Sequence, residues 1–359
     1  MGTSPEPAEA AAGSTAAPGG TNRRRTIALA VIAGLVVLAV AVAAFLLNRP
    51  RTETAAPAQT SAPAPETPAA PAPTPTPTPT PDPPPVALNI LLVGSDSRAN
   101  NRAVAASGAT SDQRGDALVL IHLPADRQSI YGISMMRDLW VDIPGHGAAK
   151  INAGLELGGV PLMTQTVEAL LGQPIHHTVM LDFEGFAAMT DALGGVDVNI
   201  PRAFQGTVDD YVYFPAGVNR LNGLEALAFV RERHAFTDGD YQRVRNQQTF
   251  LKAVMAKMAA EGVLSDRSTV NQLVQTVLPH VTVSPGLTVE SLEHLAFSLR
   301  STPPGNAQFF TLPTAGLGFS RDGQSIILQN RAATAAVSAA LASGTLGEYI
   351  AANGLQNGN

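Results

Sequence analysis

The sequence has no cysteine, one tryptophan and three lysines (Lys150, Lys252 and Lys257), and only 14% of its 359 residues are charged. Without cysteine neither disulfides nor thiolate-held metals can form. That absence is compatible with export but does not assign a redox compartment. The sequence also lacks a basic footprint. Its formal net charge is -6 and its pI about 5.6, which argues against a nucleic-acid partner. Several catalytic signatures are missing as well: the Gly-x4-Gly-Lys-Ser/Thr phosphate loop, His-Glu-x-x-His, the Gly-x-Ser-x-Gly elbow and the dinucleotide fingerprint.

The chain does have order along its length. Residues 1–25 are Ala/Gly/Pro-rich and read as a disordered cytoplasmic tail. Arg23, Arg24 and Arg25 then abut Thr26–Leu47, 22 residues without a charge. At about 1.5 Å per residue this run spans roughly 33 Å, enough to cross a hydrocarbon core of about 30 Å. The h-region of a cleaved signal peptide is shorter, about 7–15 residues, so an uncleaved transmembrane helix is the favoured reading. Arg49 and Arg51 follow the span and leave only a weak positive-inside bias. Residues 48–85 form a linker in which 14 of the 36 residues from Pro50 to Pro85 are proline, an extended extracellular stalk rather than helix or sheet.

From Val86 the pattern becomes globular. Apolar runs at Leu88–Val93, Ala117–Leu123, Ser129–Ser134, Thr178–Leu181 and Val196–Ile200 predict strands. Helical spacing predicts helices at Val160–Leu171, Phe186–Leu193, Leu224–Phe229 and Tyr241–Glu261, with Asn222 and Glu225 as a helix start. Further strands are expected at Phe309–Leu312 and Ser325–Leu328. Alternation of this kind indicates an α/β layered domain over residues 86–345, followed by a flexible tail at 346–359.

Arginines and acids cluster at the predicted strand ends. Asp96 and Arg98 follow the first strand, Arg114 and Asp116 precede the second, and Arg137 and Asp138 follow the third. A fourth cluster holds Arg231, Arg233, Arg243, Arg245 and Gln247. In an extended segment Arg231 and Arg233 face one side. On a helix starting near Asp240, Arg243 and Gln247 share a face, while Arg245 turns elsewhere. Guanidinium groups suit bidentate phosphate contacts, and two carboxylates with phosphate oxygens suit Mg²⁺. Arg–Asp pairs at strand ends are also ordinary structural ion pairs, and spacing alone does not show that the clusters converge. His176 and His177, adjacent in a strand, face opposite ways and read as structural. Trp140 and Phe183 read as packing residues.

The ordered motifs Gly94-Ser-Asp96-Ser-Arg98, Arg114-Gly-Asp116, Arg137-Asp138, Lys150-Ile-Asn152 and Asp191–Asp197 resemble the LytR-CpsA-Psr family. So do Leu221-Asn-Gly223, Arg231-Glu-Arg233 and Gly239-Asp-Tyr-Gln-Arg243 running on to Gln247. The resemblance implies an α/β/α sandwich with a mixed central sheet, an apolar tunnel for a polyprenyl chain and an arginine-lined mouth. It implies a phosphotransferase that moves a glycopolymer from a polyprenyl-pyrophosphate carrier to peptidoglycan, on the outer face of the cell membrane. Asp96 and Asp116 would then be the carboxylates for Mg²⁺ (or Mn²⁺), and Arg114, Arg137, Arg231, Arg233 and Arg243 the pyrophosphate contacts. Gln247 would support them and Arg98 would order the mouth. Arg114-Gly-Asp116 departs from the commoner Arg-Ser/Thr-Asp by losing a hydroxyl. The alternative is a non-catalytic polyprenyl-phosphate binding protein. Transcriptional regulation conflicts with the anchor and the acidic pI.

Overall fold

The structure, a computed structural model, describes residues 86–96, 102–110, 114–208, 211–260, 281–284 and 302–356, with single positions between 271 and 299. The expected tail, transmembrane span and Pro-rich stalk lie outside the described residues, as does Arg98. Among the described residues no helix is long and apolar enough to cross a membrane.

In chain order the strands are β1 (Leu88–Ser95), β2 (Gly115–Leu123), β3 (Ile130–Met135), β4 (Trp140–Ile143), β5 (Gly147–Lys150), β6 (His177–Asp182) and β7 (Val196–Ile200). They continue with β8 (Phe204–Gln205), β9 (Tyr213–Phe214), β10 (Gly217–Leu221), β11 (Val281–Val283), β12 (Ala307–Thr311), β13 (Thr314–Phe319) and β14 (Ser325–Gln329). The helices are α1 (Arg102–Ser107), α2 (Ala153–Leu171), α3 (Phe183–Ala192), α4 (Gly223–Arg231), α5 (Asp240–Ala260), α6 (Arg331–Ser343) and α7 (Leu346–Ala352).

Six strands form one mixed sheet in the order β11-β6-β1-β2-β3-β12. β1 runs parallel to β6 and antiparallel to β2, while β3 is antiparallel to β2 and parallel to β12. Side chains alternate between faces in a strand, and here both faces are apolar. Ile90, Val119 and Ile121 enter one core with α3, α4 and α5; Leu91, Val93, Leu118 and Leu120 enter a second with α2, α6 and α7. The domain is therefore an α/β/α sandwich: the alternating pattern predicted an α/β layered domain, and the resemblance implied the sandwich with its mixed sheet. Burial on both faces accounts for the near-continuous hydrophobic runs of β1 and β2.

Glycines set the closest approaches. A Cβ on Gly132 of β3 would lie 2.1 Å from the ring of Phe309, its partner residue on β12, so only glycine lets that ring lie flat against the sheet. Helix α2 is broken by non-helical Gly158 and Gly159, with Pro161 just beyond, so its regular part starts at Val160, where the sequence placed it. Asn222 and Glu225 form a complete capping box at the start of α4.

The C-terminal expectation needs correction. Residues 346–359 were expected to form a flexible tail, but Leu346–Ala352 is a helix whose Leu346 and Ile350, with Leu355 beyond it, are buried in the second core. The Gly/Asn/Ala-rich composition masked an apolar i, i+4 pair that docks.

Several matched motifs turn out to be architectural. Gly223 N–H donates to Asp191 Oδ1 at 2.7 Å, tying the start of α4 to α3. Arg220 makes two hydrogen bonds of 2.7 Å to Asp197 across the β7–β10 pair. A Cβ at position 223 would sit 2.2 Å from the Ala187 carbonyl oxygen. Gly223→Ala should therefore destabilise the protein by about 1–3 kcal/mol through overpacking. Urea unfolding measures it, and a loss below about 0.5 kcal/mol would contradict this contact.

Candidate active site

The sheet gathers the predicted residues at one edge. β1, β3 and β6 run parallel to one another and end there, whereas β2 starts there. Residues just beyond β1 and β3 and just before β2 consequently meet, in agreement with the tendency of α/β sheets to build sites at the carboxyl ends of strands. A register break between Gly94 and Ser95 leaves Asp116 as the extra residue of β2, facing no partner in the ladder. Such bulges redirect side chains. Asp96 lies at the same end, where its Oδ1 accepts the Arg114 backbone N–H at 3.1 Å.

Arg137, half-buried, donates through Nη1 to Asp116 Oδ1 at 2.7 Å. Its Nε lies 3.4 Å from Asp240 Oδ2 and 3.8 Å from Asp138 Oδ2. Asp138 is also held by Lys150 at 3.3 Å. Asp240 is the hub: besides Arg137 it faces Arg243 at 3.3 Å and Arg233 at 3.6 Å. Burial alone would lower the Arg137 pKa, but the Asp116 hydrogen bond and the charges of Asp240, Asp116 and Asp138 outweigh it and raise the value above that of an ordinary arginine. Arg243 is more deeply buried, and desolvation together with repulsion from Arg137 and Arg233 prevails over the pull of Asp240 and Asp116 and lowers its pKa. Two donors in this cluster, Arg137 Nε and Arg243 Nε, are buried and have no hydrogen-bond partner. Buried unsatisfied donors are costly, and here they point to a ligand with acceptor oxygens.

The arginine cluster forms the mouth of a cavity of about 300 Å³ between the sheet and α3, α4 and α5. Its walls are apolar, including Leu92, Val119, Val179, Phe186, Leu227, Val230, Phe250 and Val254. Asp116, Arg137, Arg231, Arg233, Arg243 and Gln247 line it as well. A guanidinium-rimmed, apolar-walled cavity is the shape of a site for an amphiphile with an anionic head.

The two arginines around Glu232 arrive by different routes. The expectation of an extended Arg231–Arg233 segment needs correction, because Arg231 ends helix α4 and only the residues after it are extended. The apolar spacing of α4 continues through Val230, and that carries the helix two residues further, to Arg231. Arg231 stacks over the Phe183 ring, with its guanidinium carbon 4.4 Å from the ring centroid. Phe183 is thus part of the site wall as well as a packing residue. Glu232 points inward, is fully buried, and accepts from the backbone N–H groups of Thr207, Arg233 and Ala235 and from the Thr207 hydroxyl. Desolvation would raise the Glu232 pKa, but these four hydrogen bonds overcome it and hold the value below the ordinary 4.5. Glu232 therefore anchors the turn that presents both arginines.

Other expected residues fall into place with differences. Gln247 donates to the Val230 carbonyl at 3.3 Å and ties α5 to the end of α4. Arg245 pairs with Asp238 and Gln242, away from the cavity, as its helical position predicted. Arg114, expected as a pyrophosphate contact, is not among the cavity walls. Its exposed side chain instead meets Glu156 of α2 at 3.2 Å, because that first-turn carboxylate is its near partner. Asp240 was missed: its position at a helix start reads as an N-terminal acid favouring the dipole, and only the fold reveals three arginines around it. Among the described residues no three His, Cys, Asp or Glu side chains are placed to hold a metal. The donor set therefore does not fit an all-protein cage. It does fit a hard divalent cation held by one or two carboxylates and completed by phosphate oxygens and water, the habit of Mg²⁺.

Fold and site together define an α/β/α protein with an apolar-walled, arginine-rimmed pocket. The LytR_cpsA_psr family profile matches residues 74–342, and the chain belongs to that family. It is 27% identical over 277 residues to the cell wall biosynthesis protein LcpA of Corynebacterium glutamicum, covering 67% of this chain and 53% of that protein. It is 34% identical over 189 residues to the Bacillus cereus polyisoprenyl-teichoic acid–peptidoglycan teichoic acid transferase TagU, covering 52% of this chain and 58% of that one. The chain thus spans a little over half the length of these curated relatives. The crystal structure of B. subtilis TagV shares the fold, with a TM-score of 0.62, 23% identity, and coverage of 72% of this chain and 97% of that one.

The Glu232 anchor can be tested by stability. Its folded-state pKa is depressed, so its contribution is present above the ordinary value of 4.5 and is lost as pH falls through the folded value. Glu232→Gln should lower stability at pH 7 by roughly 1–3 kcal/mol and flatten the loss seen in wild type below pH 4.5. Denaturant unfolding at pH 7 and at pH 4 measures both. A variant as acid-sensitive as wild type would refute the anchor.

Proposed function

We propose that the protein is a phosphotransferase that moves a glycopolymer from a polyprenyl-pyrophosphate carrier to a peptidoglycan hydroxyl, releasing polyprenyl phosphate. The observation that carries this reading is the apolar cavity opening onto Arg137, Arg231, Arg233 and Arg243. The apolar walls suit the isoprenoid chain and the guanidinium rim suits the pyrophosphate. In charge the rim suits it too. Four arginines at the mouth bring positive charge to meet an anionic headgroup. Family membership and the likeness to TagU, whose name describes transfer of polyisoprenyl-linked teichoic acid to peptidoglycan, support the same reading. With the Thr26–Leu47 span as a single-pass anchor and the N-terminus in the cytoplasm, the domain would work outside the membrane.

The chemistry follows from the residues at the mouth. Arg231 and Arg233 orient the pyrophosphate, held by the Glu232 turn and the Phe183 ring. Arg137 Nε and Arg243 Nε donate to phosphoryl oxygens, where fixed donors are worth most as charge develops. The acceptor hydroxyl attacks the sugar-side phosphorus, the bond to the bridging oxygen breaks, and that oxygen leaves with polyprenyl phosphate. The hydroxyl proton passes to a site carboxylate and then to solvent. A Mg²⁺ ion held by Asp96 and Asp116 would neutralise phosphate charge.

A non-catalytic polyprenyl-phosphate carrier would need the arginines more than the acids. The full-length protein in detergent, given carrier-linked glycan and peptidoglycan fragments, should form a phosphodiester-linked product. Arg137→Ala and Asp116→Ala should each reduce transfer at least about a hundredfold with the fold intact by circular dichroism. Chelation of divalent cations should also stop transfer, and added Mg²⁺ should restore it. Wild-type transfer in both variants would sink the assignment, and retained lipid without turnover in the unmodified protein would favour the carrier.

A further inference from the structure

Arg137 at the mouth is shared with a second pocket. Arg137 also lines a groove of about 820 Å³ on the opposite side of the sheet from the apolar cavity. The β4–β5 hairpin, the start of α2 and the turn between β13 and β14 build its walls. Its volume is within the roughly 300–1,000 Å³ common for small-molecule sites.

Three observations define what it would hold. First, its floor includes Trp140, half-exposed and the only tryptophan in the chain. An indole offers an apolar face and a polar edge. Second, the groove satisfies most of its own charges. Arg114 pairs with Glu156 at 3.2 Å and Lys150 with Asp138 at 3.3 Å, while Asp322 accepts from the Ser320 hydroxyl and the Gln324 amide. Arg321 and Asp322, adjacent and of opposite charge at the rim, have no ionic partner among the described residues. Such a surface has little to offer a polyanion, but its amides, paired charges and indole face suit an uncharged, hydroxyl-rich ligand. Third, displacement at phosphorus places the attacking and leaving oxygens roughly in line. If the leaving polyprenyl phosphate occupies the apolar cavity, the attacking hydroxyl comes from the far side of Arg137, where this groove lies.

We propose that the groove is the acceptor's saccharide subsite, holding an uncharged stretch of glycan so that one hydroxyl reaches the phosphate at Arg137. The in-line step rests on the transferase reading given above; saccharide binding by the groove does not.

The single tryptophan makes the site directly observable. Full-length protein in detergent is titrated with a soluble peptidoglycan-derived tetrasaccharide while Trp140 emission is followed. The expected result is a saturable change, with affinity weakened about tenfold in Gln324→Ala, a loss of about 1.4 kcal/mol. In the transfer assay Gln324→Ala and Trp140→Leu should raise the acceptor KM by a similar factor and leave the donor KM and the release of polyprenyl phosphate to water unchanged. No saturable change in emission would overturn the proposal, as would equal affinity in Gln324→Ala. A rise in donor KM with acceptor KM constant would assign the groove to the donor's sugars and also overturn it. Saturable binding without any transfer would refute the transferase reading while leaving the saccharide site standing.

Discussion

Asp240 faces the guanidinium groups of Arg137, Arg233 and Arg243, and the mouth depends on that one carboxylate. Crowding guanidinium groups in a half-buried mouth costs energy through desolvation and mutual repulsion, and the lowered pKa of Arg243 records it. Asp240 offsets part of that cost at all three guanidinium groups, and Asp116 and Asp138 add to it at Arg137. The Nε atoms of Arg137 and Arg243, buried without a hydrogen-bond partner, remain as donors for acceptor oxygens.

The surrounding structure keeps the cluster in place. Three consecutive polar residues of α5 act as fasteners. Asn246 donates to the Phe229 carbonyl, Gln247 to the Val230 carbonyl, and Gln248 to the Ser134 and Thr311 hydroxyls on β3 and β12. Helix α5 is thereby fixed to the last turn of α4 and to the sheet, which sets Arg243 near Arg137 and Arg233. Glu232 fixes the turn between the two helices from inside. A site that must hold several arginines against their mutual repulsion needs this rigidity, because a loose loop would splay them apart.

Much of this was legible in the sequence for an identifiable reason. Both faces of the central sheet are buried, so β1, β2 and β3 appear as solid apolar runs, and charges crowd into the few positions just past their ends. The periodicity of α5 separated Arg243 and Gln247 from Arg245, as found. What stayed hidden required three-dimensional neighbours. Asp240 looked like an N-terminal helix acid, Phe183 like packing, and the apolar pair Leu346 and Ile350 like part of a small-residue tail. Arg114 sits in a motif with Asp116, yet the register break at Gly94 and Ser95 sends the two side chains to different sides of the sheet edge. No one-dimensional spacing encodes a bulge.

The position of Arg137 ties the two pockets together. It lies just past β3, at the sheet edge, and lines both the cavity on one face and the groove on the other. Its partners divide the same way: Asp116 and Asp240 belong to the cavity cluster, whereas Asp138 joins it to Lys150 on the groove side. A phosphoryl group held there would have its lipid substituent on one side and open access on the other. In the proposed transfer, breaking the bridging bond would give the leaving phosphate a further negative charge on the cavity side, beside Arg231, Arg233 and Arg243. These guanidinium groups would then be worth more to the transition state than to the bound carrier, the difference that accelerates a reaction.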